Sequence, residues 1–360
     1  MTTSARRSLS IDLCGPYPPP YGGVSVHLER LAARLESEGD RVRLIAPQLR
    51  TERHVLFTYR RILATAQGEL LHAHVAGISD KLCLGALTRL GRRVVLTVHG
   101  QSLEDELRGV GGVKRRLVLA ALRRLDAVVA VNERIRNFAV GELGLPGDRV
   151  FNIPAFLPPC RPGQDEVAPA RAEELLARCS PILCANAFDL SLYEGHPLYG
   201  SDLLLDLLVR SRKSHPRLGI VFYVSTLRGE GEVRLTQLHE RAHELGVESR
   251  LAVVTGSRPF NPILVRSAAL VRPTVTDGDA ISVRDALWLG VPVVASDVMP
   301  RPRGTNLFKT HDGEDLWRVV RLVIDRPGAA HEADTAFERR DTFSELRAVY
   351  ASVVERRPQK

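Results

Sequence analysis

The sequence predicts an α/β fold made of two Rossmann-like domains, each built around a parallel sheet. Short apolar, β-rich runs alternate with longer segments of helical spacing, first up to residue 155 and again from residue 181. Such alternation is typical of βα units in a parallel sheet. A chain of 360 residues also exceeds the length at which one hydrophobic core usually stops growing, which favours two domains.

Each predicted strand is a short apolar run bounded by polar or turn-forming residues. In the first series these runs are residues 8–13, 41–46, 70–74, 94–98 and 127–131. In the second series they are residues 182–186, 219–224, 251–255, 269–272 and 292–296. Helical segments, including 23–38 and 113–125, fill the intervals. Parallel sheets bind ligands beyond the carboxyl ends of their strands, so we expect two domains facing each other across a cleft, with functional residues just after strands.

Proline marks the boundary between the two domains. Four prolines between residues 154 and 162 interrupt regular pairing, so residues 156–180 are predicted to be a linker. The N-terminal domain then covers residues 1–155 and the C-terminal domain covers 181–333. The last segment, 334–360, has the spacing of a helix that could pack on either domain, including back on the N-terminal one.

A glycine-containing loop follows the first predicted strand and leads into a helix, with the sequence Pro-Pro-Pro-Tyr-Gly-Gly-Val-Ser at positions 18–25. Gly22 and Gly23 would let the backbone approach a ligand closely, and the free amides at a helix start favour a phosphate. A tight turn without a ligand is the alternative that this loop alone leaves open.

An acidic loop and an amphipathic helix precede the last predicted strand, in the block from Thr276 to Ser296. Asp277 and Asp279 lie in the loop, Asp285 lies within the helix, and Gly290 ends that helix. Carboxylates here could accept hydrogen bonds from the hydroxyls of a sugar and a ribose. Alternatively, the loop aspartates cap the helix and Asp285 lies on a solvated face.

Four segments, taken in this order, resemble retaining GT-B glycosyltransferases of family 4 and span nearly the whole chain. They are the Gly22-Gly23 loop, Thr97-Val98-His99-Gly100, Asn152-Ile153-Pro154 and the block from Asp277 to Ser296. The resemblance implies a GT-B fold and a metal-independent transfer, of a hexose, without a cofactor. The implied substrates are a nucleotide-sugar donor and a glycan or polyprenyl-linked acceptor in cell-surface polysaccharide biosynthesis.

The resemblance also implies roles for individual residues. Asp277 and Asp285, eight positions apart as in the family, would hold the transferred sugar and the ribose respectively. His99 would lie beside the sugar, so His99 and Asp277 are the expected catalytic residues. The remaining donor-binding positions are Gly22, Gly23, Asp279 and Ser282.

Two departures from the family pattern concern the reach of the acidic side chains and the loss of a basic pair. Aspartates stand where the family usually has glutamates, and the family's arginine and Lys-Gly are replaced by Asn186-Ala187-Phe188 and Tyr199-Gly200. Arginine suits bidentate phosphate contacts, and the candidates to replace the missing charge are Arg228, Arg258, Arg284 and Arg301. The departures leave open a catalytically impaired GT-B protein that binds a nucleotide sugar or supports a partner enzyme.

Histidines end two of the predicted strands. His72 and His74 form a His-x-His pair, for which a metal site is one interpretation. No third ligand is evident, and hydrogen-bonded structural histidines are the favoured alternative. His99 ends a strand at a position that matches the family site, which favours a functional role.

A basic segment lies between Arg108 and Arg124, with six basic and no acidic residues. Leucines are interspersed at helical spacing. Such a helix could rest on an anionic membrane through Lys114, Arg115 and Arg116, or it could be a solvated face whose leucines pack on its own sheet.

Composition bounds the partners and the location. The net charge of +8 favours anionic partners, but aromatic residues make up only 5% of the chain and form no stacking clusters. We therefore expect no nucleic-acid binding.

No apolar run approaches the roughly 20 residues that span a bilayer, and no secretory signal is evident. The expected location is cytoplasmic, including peripheral association with the inner face of the cell membrane.

Overall fold

The protein is described by a computed structural model at residues 7–45, 67–75, 77–99, 102–159, 168–256, 259–326 and 339–356. These residues form two compact units. The described residues within Met1–Pro18, Val24–Leu157 and Arg340–Lys360 form the first unit, and those within Pro19–Gly23 and Pro158–Arg339 form the second.

The first unit is built on a sheet of six described strands, all parallel. In order across the sheet they are β2 (Arg41–Ile45), β1 (Ser10–Cys14), β3 (Leu70–Ala73), β4 (Val94–Val98), β5 (Ala127–Ala130) and β6 (Val150–Asn152). Every residue of β3, β4 and β5 is buried, as expected where helices cover both faces of a parallel sheet.

Helices follow the strands of the first unit. They are α1 (Gly23–Ser37), α2 (Ile78–Arg89), α3 (Ser102–Arg108), α4 (Gly112–Leu122) and α5 (Glu133–Asn137). Helices α2 and α4 approach closely because Gly85 has no side chain: a Cβ there would lie 2.5 Å from the Cβ of Ala121. The inner face of α4 is therefore held against α2.

The second unit also has six described parallel strands in one sheet. Their order is β11 (Leu251–Thr255), β10 (Gly219–Val224), β7 (Ile182–Ala187), β12 (Ala269–Arg272), β13 (Val293–Ser296) and β14 (Thr305–Phe308). A hairpin of β8 (Leu192–Tyr193) and β9 (His196–Pro197) stands apart. The two parallel sheets confirm the predicted α/β class. Strand β14 was not predicted, because Phe308 alone is buried in it and no continuous apolar run marks it.

The helices of the second unit are α6 (Ala170–Arg178), α7 (Ser201–Arg210), α8 (Gly231–Glu244), α9 (Asn261–Leu264), α10 (Ile281–Trp288) and α11 (Gly313–Ile324). Helix α6 lies within residues 156–180, the predicted linker, and packs against β10 and β11. Helix α11 begins at a side-chain cap, since the carboxylate of Asp312 accepts from the backbone N–H of Asp315 at 2.9 Å.

The C-terminal helix (Thr342–Arg356) packs on the first unit, although it follows the second in sequence. Its apolar face, which includes Phe343, Leu346 and Val353, joins the core formed by β1 and α1. Each such buried side chain contributes about 1.5–3 kcal/mol. Arg347 adds a buried ion pair, with Nη2 2.7 Å from Oδ1 of Asp40. None of the helices in the described ranges is long and apolar enough to cross a membrane.

Candidate functional site

Strand order reverses at one point in each sheet, and ligands of parallel α/β sheets bind beyond the carboxyl ends of the strands at such points. The reversal lies between β1 and β3 in the first sheet and between β7 and β12 in the second. The residues just after these strands are His74 in the first unit, and Phe188 and the loop with Asp277 in the second. Several residues predicted for the site therefore lie at the expected edges.

A histidine cluster lies at the carboxyl edge of the first sheet, formed by His27, His72, His74 and His99. Nδ1 of His74 is 2.9 Å from Nε2 of His99, and its Nε2 is 3.3 Å from Nδ1 of His72. His72 also contacts two hydroxyls, that of Thr97 at 2.7 Å and that of Tyr350 at 2.6 Å. The cluster thus links the half-buried His99 to the C-terminal helix through hydrogen bonds.

Burial keeps the histidine cluster neutral. It lowers the pKa of His72 to about 3 and that of His99 to about 4. The pKa values of His27 and His74 also lie well below the ordinary value, again chiefly because of burial. The arrangement matches the hydrogen-bonded alternative for His72 and His74. In the described part of the chain, no three His, Cys, Asp or Glu side chains are grouped to hold a metal ion.

The glycine loop packs against the residue that follows β7. A Cβ on Gly22 would lie 2.8 Å from Cδ2 of Phe188, so the phenyl ring rests directly on the Gly22 backbone. Gly23 differs, since a Cβ there would meet nothing within 4 Å. Packing therefore accounts for glycine at position 22, whereas the backbone of Gly23, at the start of α1, has open space beside it.

Arg228 also contacts this aromatic ring. Its guanidinium carbon is 5.2 Å from the centre of the Phe188 ring. The loops after β7 and β10 run side by side, because the N–H of Thr226 donates to the carbonyl of Phe188 at 2.9 Å. Arg228 is exposed, and it forms no ion pair with any carboxylate in the described ranges.

Asp277 is at the centre of a buried ion-pair network. Arg272 donates to both of its carboxylate oxygens, at 3.0 and 3.2 Å, and Arg301 donates to Oδ2 at 2.8 Å. The Thr274 hydroxyl and the Gly278 N–H bond the same carboxylate at 3.2 and 3.1 Å. Burial alone would raise the pKa of Asp277, but the two guanidinium groups outweigh it and hold the pKa well below its usual range.

A second pair forms in the same acidic loop. Nε of Arg284 lies 2.7 and 2.9 Å from the two carboxylate oxygens of Asp279. Burial raises the pKa of Asp279, and the Arg284 charge offsets only part of that rise. Ser282 lies in the first turn of α10, where backbone N–H groups have no partner within the helix. The predicted donor-binding residues Asp279 and Ser282 are thus neighbours at one helix start.

Asp285 is buried, with 4% of its surface exposed, on the helix that packs against β12 and β13. The alternative that it lies on a solvated face is wrong. A buried carboxylate is stable only with hydrogen-bond partners. Burial therefore favours a role for Asp285 in ligand binding or in the fold, and not a role as a solvent-facing charge.

The four arginines proposed to replace the family's basic pair have different environments. Arg301 has a side chain only 2% exposed, and besides Asp277 it donates to Thr274 and Ser296. Arg284 is paired with Asp279. Arg258 lies outside the described residues. Arg228 alone of the three described arginines has an exposed guanidinium without an ion pair in the described chain.

Sequence reasoning missed Arg272 and the role of Tyr199. The guanidinium carbon of Arg272 is 5.0 Å from the centre of the Tyr199 ring, while its nitrogens bond Asp277 and Asn186. The sequence does contain a signal for Arg272, because this charged residue ends an otherwise apolar buried strand. A charge in such a position must be paired within the fold.

Helix α4 presents a mixed basic and apolar outer face. Val113 and Leu117 are 71% and 55% exposed, beside exposed Lys114 and Arg116 and the half-buried Arg115. The inner residues, such as Val118, pack on the first unit. Packing on its own sheet therefore explains the buried apolar residues of α4, such as Val118, but not the exposed Val113 and Leu117.

Comparison with known proteins agrees with this architecture. Residues 52–159 match the family model described as Glycosyltransferase Family 4. HepE of Anabaena, solved in complex with UDP and glucose, superposes with a TM-score of 0.70 at 14% identity over 96% of this chain and 100% of that one. No curated protein sequence matches the chain.

Two further solved structures superpose with similar TM-scores, identities and coverage. Sucrose-phosphate synthase from Thermosynechococcus elongatus gives a TM-score of 0.71 at 14% identity, covering 98% of this chain and 100% of that one. WaaG, a glycosyltransferase involved in lipopolysaccharide biosynthesis, gives 0.67 at 13% identity, covering 95% and 99%. Identities this low establish the fold alone. The chain has the fold of the GT-B glycosyltransferases, as the resemblance implied.

Proposed function

We propose that this protein is a retaining, metal-independent glycosyltransferase that moves a hexose from a nucleotide-sugar donor to a glycan or lipid-linked acceptor. The observation that carries the proposal is the placement of Asp277 and Asp279 in the loop before α10 and of Asp285 within α10, in the segment that follows β12 at the strand-order reversal of the second sheet, in a chain with the GT-B fold. The match to Glycosyltransferase Family 4 supports it.

The chemistry requires stabilisation of the leaving nucleotide diphosphate as the glycosidic bond breaks. The amides around Ser282 and the backbone at Gly23 would face the diphosphate, since a helix start favours anions. Asp285 would accept the ribose hydroxyls. His99, neutral because of its lowered pKa, would hydrogen-bond the sugar rather than carry charge.

Asp277 is the least straightforward member of the proposed site. Five donors already bond its two oxygens, so a sugar hydroxyl would have to displace one of them. This saturation favours a second candidate function: a GT-B protein that binds a nucleotide sugar without transferring it, or that supports a partner enzyme.

For the acceptor, we propose a glycan or polyprenyl-linked precursor at the cytoplasmic face of the membrane, in polysaccharide biosynthesis. The outer face of α4 supports this, because exposed Val113 and Leu117 accompany Lys114 and Arg116. Apolar side chains and cations on one helix face suit an anionic lipid surface. WaaG, which shares the fold, is involved in lipopolysaccharide biosynthesis.

A panel of nucleotides and nucleotide sugars tests the proposal. UDP and UDP-glucose, both present in HepE structures, come first, followed by the GDP and ADP equivalents. A ligand that binds the folded state raises the thermal midpoint. Sugar transfer would then be followed with lipid-extract acceptors, with and without EDTA, and product configuration read by NMR. Binding without transfer would favour the second candidate, and binding of none of these ligands would refute both the transferase and the nucleotide-sugar-binding form of the second candidate.

A further inference from the structure

We infer that Arg228, in cation–π contact with Phe188, is the side chain that binds the diphosphate of the donor. The inference rests on the proposed function and names the residue that supplies positive charge at the diphosphate position. It makes Phe188 a positioning residue, which acts on the ligand only through the guanidinium.

The charge of Arg228 is not neutralised by any carboxylate in the described ranges. A diphosphate is bound best by a cation that no protein carboxylate already neutralises. Arg301 and Arg284 are each committed to an aspartate, with nitrogen-to-oxygen distances of 2.8 and 2.7 Å. Arg228 is exposed and has no ion pair in the described ranges. Among these arginines, Arg228 can therefore accept an anionic ligand without breaking an existing pair.

Arg228 also lies at the carboxyl edge of the second sheet, beside the strand-order reversal. Arg228 lies in the loop that follows β10, and β10 is the direct neighbour of β7. Phe188 is the first residue after β7, at the strand-order reversal of the second sheet, and its ring rests on the backbone of Gly22. The cation is thus held at the sheet edge where parallel α/β folds bind ligands, beside the ring that contacts the glycine loop.

The contact with Phe188 holds the Arg228 guanidinium in place. An aromatic face attracts a guanidinium at a separation such as the 5.2 Å found here. Within the described residues the Arg228 guanidinium donates no hydrogen bond, so its N–H groups stay available for bidentate contact with phosphate oxygens. The ring therefore restricts the arginine side chain without consuming its hydrogen-bond donors.

Calorimetric titration with UDP and UMP tests the inference on Arg228→Gln, Arg228→Lys and Phe188→Leu. Arg217→Gln is the matched control, because Arg217 is also exposed and precedes the same strand β10 at its other end. We expect Arg228→Gln to weaken UDP binding about tenfold, since a hydrogen bond to a charged group is lost. UMP, which lacks the second phosphate, should lose less affinity. Lysine should restore part of the affinity, and Phe188→Leu should weaken UDP binding with Arg228 still present.

Unchanged UDP affinity in folded Arg228→Gln would overturn the inference and leave the proposed function standing. An equal loss in Arg217→Gln would also overturn it, because a general effect of net charge would then suffice. If the wild-type protein binds none of UDP, GDP and ADP, the proposed function itself fails. Circular dichroism of each variant establishes folding, and if Phe188→Leu does not fold, the comparison of the Arg228 and Arg217 variants still decides.

Discussion

The hydroxyl of Tyr350 lies 2.6 Å from Nδ1 of His72, and the two residues are 278 positions apart in the chain. Both side chains are completely buried. The C-terminal helix thereby completes the histidine cluster of the first unit, and without the Tyr350 hydroxyl Nδ1 of His72 would keep, among the described residues, only the longer contact, 3.3 Å, with Nε2 of His74.

Tyr350→Phe should accordingly destabilise the first unit by about 1–3 kcal/mol, because the imidazole of His72 would lose a buried partner. Native-state hydrogen exchange of the amides of β3 measures the effect. Tyr193→Phe is the control, since Tyr193 is 41% exposed and should give wild-type exchange. Equal protection of β3 in the Tyr350 variant and the wild type would show that the hydrogen bond contributes little.

Acid should destabilise the same unit. A histidine whose pKa is lowered by folding binds fewer protons folded than unfolded, so the free energy of unfolding rises with pH between the two values. For His72 these are about 3 folded and 6.5 unfolded, so its contribution is complete above pH 6.5 and is lost as the pH falls toward 3.

The expected slope is up to about 1.4 kcal/mol per pH unit for each buried histidine. Urea denaturation at several pH values between about 4 and 7, the range in which histidine titrates, measures this slope. His243→Gln should leave the slope unchanged, since the His243 side chain is 81% exposed. A flat profile would contradict the assignment of neutral, buried imidazoles.

Asp285→Asn should weaken donor binding while preserving the shape of this buried side chain. Losing a charged acceptor for ribose hydroxyls corresponds to about 1.5–3 kcal/mol, or roughly 10- to 150-fold in the dissociation constant for UDP. Asp202→Asn, at an exposed position in the first turn of α7, is the control. If titration gives the same dissociation constant for folded Asp285→Asn and the wild type, Asp285 does not hold the ribose.

Gly23→Val should leave the fold intact, because a Cβ at position 23 meets nothing within 4 Å. It should nevertheless abolish sugar transfer if the Gly23 backbone faces the diphosphate, since the isopropyl group would occupy the open space. Gly109→Val, at another glycine with no neighbour within 4 Å, is the matched control. Normal turnover in Gly23→Val would mean that the loop is only a turn.

Reversal of Lys114, Arg115 and Arg116 to Glu should remove most binding to anionic vesicles. Each cation near such a surface contributes roughly 1 kcal/mol, and high salt should weaken the wild-type interaction. Reversal of Arg212, Lys213 and Arg217, three exposed cations of the second unit, is the control with the same change in charge. Flotation with phosphatidylserine vesicles measures binding. Equal flotation of both variants and the wild type would refute docking through α4.

The sequence by itself determined the fold class and the approximate position of nearly every strand. Buried parallel strands appear as continuous apolar runs, of which β10 with six buried residues is a clear example. It also indicated which loops follow the strands and therefore contain Gly22, His99 and Asp277. These features depend on local patterns of apolar residues and turns, which can be read along the chain.

Only the tertiary structure decided how the charges are paired. Asp277 looked like a free ligand in sequence, yet Arg272 and Arg301, from positions on either side of α10, occupy its carboxylate. Likewise Phe188, Arg228 and Gly22 come together from three separate loops. Hydrogen bonds and stacking contacts depend on distances of a few ångströms between segments far apart in the chain, and residue spacing in one dimension does not encode those distances.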